Sequence, residues 1–216
     1  MHNLFHYENP FIQFLVRVGD LMILNLLFLV CALPVVTLGA SLTALHRVTQ
    51  NMLFEQEEPL IKSFFRAFRQ NFKQSTLVWL AELVIIVSLA CDVLLVMAYF
   101  DGSLARTMYI LVAVLAILVA GVFSYLMPLI ARYENGMRQQ VNNAVVLAII
   151  KLPKTIILVL MNLLPVILLL ISVPVFVQTL IFWVIIGFAF VSFIESSILK
   201  PVFQQLEKGN ESVTIG

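Results

Sequence analysis

Charge is what this chain has least of. Only 12% of its 216 residues are Asp, Glu, Lys or Arg, while 62% are hydrophobic; an ordinary soluble domain carries roughly a quarter charged and half apolar. Thirteen basic and 12 acidic side chains cannot clothe a fold of this length in a polar shell, which excludes a water-soluble globule and makes lipid the solvent. The net charge of +1 supplies no global field, so nucleic acid is not a partner. Cysteine is equally scarce: Cys31 and Cys91 both sit inside apolar runs, where they read as small buried hydrophobes rather than a disulfide or metal pair.

Enzymatic signatures are missing too. There is no H-E-x-x-H, nucleophile elbow, phosphate loop or Cys/His metal spacing, and Gly39-Ala40-Ser41 lacks the second glycine of an elbow. His2 and His6 are four residues apart without a third ligand. No catalytic residue, metal ligand or cofactor is expected, and the chain reads as non-enzymatic. The opening MHNLFHYENP has no basic region and no small-residue cleavage site follows, so the first apolar run is expected to stay as an anchor helix.

What is present is length without charge. Leu21 to Leu45 runs 25 residues without Asp, Glu, Lys, Arg or His, interrupted by Pro34 and Gly39; about 20 helical residues cross a bilayer. Residues 75–100 give a second run containing Glu82 and Asp92, and Thr107 to Ala131 a third of 25 residues. Thr155 to Ile194 has 40 uncharged residues and must fold back, with Ser172 to Thr179 as the bend. The expected fold is an all-α polytopic bundle of five spans, near 14–36, 75–100, 104–132, 154–173 and 178–200, in a single membrane domain. Interfacial amphipathic helices are expected near 38–54, 60–73 and 142–151, and a sixth span exists if 38–54 crosses.

Cations set the orientation, because Lys and Arg in short loops are retained in the cytoplasm. Residues 46–75 hold Arg47, Lys62, Arg66, Arg69 and Lys73, and residues 132–154 hold Arg132, Arg138, Lys151 and Lys154. Both connections are therefore read as cytoplasmic, giving a multi-pass protein of a bacterial plasma membrane with its N-terminus outside and C-terminus inside. The N-terminus moves inside if 38–54 crosses.

Ile61, Phe64, Phe65, Phe68 and Phe72 recur at helical spacing, flanked by Lys62, Arg66, Arg69 and Lys73. Such a stripe suits a helix in the headgroup layer with its rings in lipid and its cations on anionic headgroups, or one gripped by a partner membrane protein. Glu82 and Glu195 lie at similar depths within their spans and could share a polar cavity or proton site, or be salt-bridged for packing; Asp92 is the deepest carboxylate. Asn25 and Asn162 read as interhelical hydrogen-bonding residues.

The stretch NPFIQFLVRVGDLMILNLLFLVCALPVVTLGASLTALHRV, followed by SFFRAFRQNFKQSTLVWL, resembles the YesL family of bacterial integral membrane proteins, also described as domain of unknown function 624. The likeness rests on the Asn-Pro-Phe opening, Gly19-Asp20, Leu33-Pro34 with Gly39-Ala40-Ser41, and Asn71-Phe72-Lys73-Gln74. That family has no assigned activity and supplies no catalytic residues. Its genes often lie beside carbohydrate uptake systems of the ATP-binding-cassette (ABC) type, which implies an accessory part in uptake or its sensing, with ABC transporter subunits as partners. The alternative role is a small transporter or channel using Glu82, Asp92 and Glu195.

Overall fold

The computed structural model describes residues 10–54 and 58–214, so His2 and His6 lie outside the described residues. Among the described residues there is no strand. The helices are α1 (Pro10–Ala32), α2 (Leu38–Leu53), α3 (Leu60–Tyr99), α4 (Gly102–Arg132), α5 (Met137–Ile150), α6 (Leu152–Ile171), α7 (Val173–Phe182) and α8 (Phe188–Thr214). A single 3-10 turn, Val35–Thr37, precedes α2, and a π-helical segment, Trp183–Gly187, joins α7 to α8. Five stretches are long and apolar enough to cross a membrane: Phe11–Ala32, Leu60–Tyr99, Gly102–Arg132, Leu152–Ile171 and Val173–Glu207. The protein is a multi-pass, all-α membrane bundle.

Helix ends follow the breakers. Pro34 ends α1, and the Thr37 hydroxyl donates to the carbonyls of Cys31 at 2.6 Å and Pro34 at 2.8 Å, tying off the turn into α2. Gly102 takes a φ of 66° between α3 and α4, a conformation glycine adopts without strain. Pro153 and Pro174 occupy the first turns of α6 and α7, where a missing N–H costs nothing. The expected bend over 172–179 therefore narrows to Ser172, which is extended.

Apolar side chains point both ways, as lipid solvation allows. One inner cluster joins Leu24 and Phe28 of α1 to Leu45 of α2, Phe64 of α3 and Ala189 of α8. A second joins Tyr125 and Leu129 of α4 to Leu147 of α5, Leu158 of α6 and Phe203 of α8. Outside them, Leu26, Ile86, Leu118, Leu160 and Ile181 are exposed and form the lipid-facing surface.

The three segments expected as interfacial helices take different forms in the bundle. Residues 38–53 form α2, which is enclosed by its neighbours, with Ala40, Thr43, Ala44, Thr49 and Gln50 at 1% exposure or less. Its polar residues meet other helices instead of headgroups. Gly39 permits this, because a Cβ there would collide with the Ser75 carbonyl and the Trp79 Cβ.

The separate helix at 60–73 does not exist. No Gly or Pro stands between Pro59 and Phe100, so α3 continues unbroken for 40 residues. Its aromatic stripe is split between environments. Phe64 is fully buried and Phe68 half-buried in the protein, while Ile61, Phe65 and Phe72 remain outside. The third segment begins earlier than 142, at Met137, and keeps an outer apolar face at Val146, Ile149 and Ile150.

Chain direction matters for the site. His46, Thr49 and Leu53 meet Ser192, Ser196 and Lys200 in turn, so α2 and α8 run in the same sense. α1 turns back on α2 through five residues, 33–37, and its Asn25 meets Val184 and Ala189, level with the middle of α2. α1, α3 and α6 therefore run one way, and α2, α4 and α8 the other.

Candidate functional site

α2 brings polar side chains to the centre because its partners satisfy them. Thr43 shares a hydrogen bond with Ser75 of α3 at 2.8 Å, the Gln50 amide donates to the Pro128 carbonyl of α4 at 3.0 Å, and Asn51 donates to Ser63 at 3.2 Å. Thr49 reaches Ser192 at 3.1 Å and Ser196 at 2.9 Å on α8. Hydrogen bonds of this kind between membrane helices are worth about 0.6 to 2 kcal/mol each.

His46 occupies the middle of this network. Its Nδ1 lies 3.1 Å from the Ser192 hydroxyl, and its Nε2 lies 3.8 Å from Oε2 of Glu195, one turn along α8. The ring is buried, and a low-dielectric interior favours the uncharged imidazole. Glu195 is 2% exposed, and its Oε1 has no hydrogen-bond partner among the described residues.

Two cavities meet at this point. The larger, about 200 Å³, is lined by His46, Trp79, Glu82, Ser124 and Asn162. The smaller, about 50 Å³, is lined by His46, Asn162, Pro165, Trp183, Ser192 and Glu195. Leu42, His46 and Asn162 belong to both. Neither cavity has a Lys or Arg in its lining. Trp183 and Glu195 both line the smaller cavity, and the Trp183 indole N–H is buried without a hydrogen-bond partner among the described residues. Asn162 is exposed and spends its Nδ2 on the Ser124 hydroxyl at 3.3 Å and the Leu158 carbonyl at 3.1 Å.

The π segment that carries Trp183 is held from α1. The Asn25 amide donates to the carbonyls of Trp183 and Val184, and its Oδ1 accepts from the Ala189 N–H. A π segment displaces main-chain groups from the regular ladder, and Asn25 supplies the partners they lose.

Of the carboxylates singled out in the sequence, Glu82 and Glu195 are placed on these two adjoining cavities. Asp92 is half-buried, lines neither, and has no hydrogen bond or ion pair among the described residues. His46, Ser192 and Trp183 were missed. The available signal was the run His46, Thr49, Gln50, polar at helical spacing beside a close-packing Gly39. Among the described residues no three of His, Cys, Asp and Glu converge as a metal cluster.

A third cavity, about 510 Å³, opens among Arg47, Gln70, Asn71, Gln74, Arg132 and Asn135. Arg47 donates to the Ala131 carbonyl at 3.1 Å, and Arg132 pairs with Glu207 at 2.7 Å while lying over the Phe54 ring at 3.7 Å. Burial and the neighbouring Glu207 push Tyr133 up to about 12.

Residues 21–93 match the family described as protein of unknown function, DUF624. That segment is similar to DUF624, and the match does not extend to the rest of the chain. It contains Asn25, Gly39, His46, Glu82 and Asp92, and stops short of Asn162, Trp183 and Glu195. No curated protein and no solved structure matches the chain.

Proposed function

We propose that this membrane protein passes a small polar solute or ion through the paired cavities, using Glu82, His46, Asn162 and Glu195. The observation that carries this reading is Glu195: a carboxylate buried at 2% exposure that lines a cavity and has one oxygen without a hydrogen-bond partner among the described residues. Such a group is costly inside a bilayer unless it serves a ligand or water, and ionisable residues there mark solute and ion paths. Asp92, away from both cavities, is left out of the path.

Ser192, His46 and Glu195 also have the composition of a nucleophile relay. The Ser192 hydroxyl is tied to Thr49 at 3.1 Å, and the adjoining space of about 50 Å³ is too small for an acyl substrate. The reading is therefore binding and passage without catalysis.

The chain's place is a bacterial plasma membrane, with the cationic connections and the C-terminus in the cytoplasm. Because α2 returns along α1, this reading takes the alternative in which 38–54 crosses and the N-terminal end of α1 lies on the same side. Reconstitution into vesicles with a sodium or proton gradient tests passage. Dissipation by the wild type, lost in Glu82→Gln and Glu195→Gln, is the expected result; vesicles no leakier than empty ones would overturn it.

An accessory role in ABC-type carbohydrate uptake is a second reading, favoured by the outer face of α3. Lys62, Phe65, Arg69, Phe72 and Lys73 are exposed there, with Arg66 paired to Glu58. This face suits anionic headgroups or a partner membrane protein. Co-purification of transporter subunits, lost on Phe65→Ala with Phe72→Ala, tests it; recovery of none with the native protein counts against it.

A further inference from the structure

The smaller cavity combines features that select its occupant. Glu195, whose Oε1 has no hydrogen-bond partner among the described residues, lines it, and no Lys or Arg does. The one basic group at hand, His46, is 3.8 Å from the carboxylate and is buried, which favours its neutral form. A carboxylate in a low-dielectric interior stays charged only with a counter-charge beside it, and nothing in the lining supplies one.

Oxygen donors converge on the same space. Asn162 gives its Nδ2 to Ser124 and Leu158, its side chain also lies within hydrogen-bonding reach of Glu195, and its Oδ1 accepts no hydrogen bond among the described residues. Residue 165 is proline, so the Met161 carbonyl, four residues earlier, lacks its helical N–H donor; Met161 and Pro165 both line the cavity. The Ser192 hydroxyl completes the set. A carboxylate with an amide oxygen, a hydroxyl and a carbonyl freed from a helix is a hard-oxygen set of the kind that coordinates sodium in broken membrane helices. Divalent calcium takes six to eight oxygens, usually with several carboxylates, and one carboxylate is present. A water occupies about 30 Å³ of liquid volume, so about 50 Å³ admits one small ion and one water.

We propose that the cavity beside Glu195 binds a single dehydrated sodium ion, held by Glu195, Asn162, Ser192 and the Met161 carbonyl. The ion's role as a coupling ion rests on the transport reading above; its binding does not. The ion reaches the site past His46 and Asn162 from the larger cavity, where Glu82 provides the second carboxylate.

Trp183 gives the test a built-in reporter, since the chain has only two tryptophans. The full chain carrying Trp79→Phe is purified in detergent and titrated with NaCl at constant ionic strength made up with choline chloride, following Trp183 fluorescence. A saturable response to sodium, weaker with potassium and absent with choline, is expected. It should disappear in Glu195→Gln, persist with about tenfold weaker affinity in Glu195→Asp, and weaken by about tenfold in Asn162→Ala. Helical circular dichroism and elution volume establish that each variant is folded; if Glu195→Gln fails to fold, the Asp and Ala variants and the wild-type ion selectivity decide. Equal responses to sodium and choline overturn the proposal. So does a response to pH alone that sodium does not alter, which would assign the site to a proton. Sodium binding without flux in vesicles would sink the transport reading and leave this site standing; flux without sodium binding would do the reverse.

Discussion

Asn25 of α1 donates to the carbonyl of Trp183 at 3.0 Å, fastening the first helix to the π segment 158 residues later. The same side chain also holds Val184 and Ala189, so one amide satisfies three main-chain groups displaced where α7 passes into α8. Asn25→Leu removes all three bonds and leaves buried carbonyls and an N–H without partners. A loss of about 1 to 3 kcal/mol is expected, read as a lower midpoint in a thermal melt of the detergent-solubilised protein. Because Trp183 moves with this segment, its fluorescence should change in the folded variant as well. A melt indistinguishable from wild type would mean that the π segment stands without its clamp.

Gly39 sets how close α2 comes to α3. A side chain there meets the Ser75 carbonyl and Trp79, both on the facing helix, and backbone cannot yield as a flexible side chain can. Gly39→Val is expected to destabilise by about 1 to 3 kcal/mol through overpacking. A methyl group at Gly19 would meet nothing within 4 Å, so Gly19→Ala should be neutral or slightly stabilising. Melting both in parallel checks the contrast; equal losses would contradict the close α2–α3 approach.

Phe64 and Phe65 are sequence neighbours in different surroundings. Phe64 is at 0% exposure among Leu24, Leu45 and Ala67, whereas Phe65 is at 42%. Phe64→Ala is expected to destabilise by about 3 to 5 kcal/mol, and Phe65→Ala by about 0.5 kcal/mol or less. Thermal melts separate them. Similar small effects would restore the reading in which the whole aromatic stripe lies in lipid.

The alternating directions of α1, α2, α3, α4, α6 and α8 put the start of α1 and the end of α8 at the same end of the bundle. Reporter domains fused in turn to the N- and C-termini of the full chain should give the same cytoplasmic signal in intact cells. Opposite signals would show that α1 and α2 do not form the hairpin described.

The membrane fold was legible because composition and the lengths of uncharged runs depend on lipid alone, whatever the helices touch. Glu82 and Glu195 stood out for the same reason, as carboxylates inside apolar runs. The role of α2 was not legible. Thr43, His46, Thr49 and Gln50 look like a surface helix until their partners are known, and those partners lie on α3, α4 and α8, between 32 and 147 residues away. The aromatic stripe misled through periodicity: Phe64 and Phe65 share a helical face by spacing, yet the neighbour that covers one leaves the other outside. Asp92 was the deepest carboxylate by position along its run, but depth says nothing about which way a side chain faces.

Passage through the bundle requires the paired cavities to be wet and reachable by charged solutes. Leu42 lines both, which makes it the reporter position. In a chain with Cys31→Ser and Cys91→Ser, Leu42→Cys should react with a membrane-impermeant, positively charged thiol reagent in sealed vesicles, and prior incubation with sodium should slow the reaction. Reaction only with an uncharged, lipid-soluble maleimide would contradict this, since it would make the space around His46, Glu82 and Glu195 a dry packing defect.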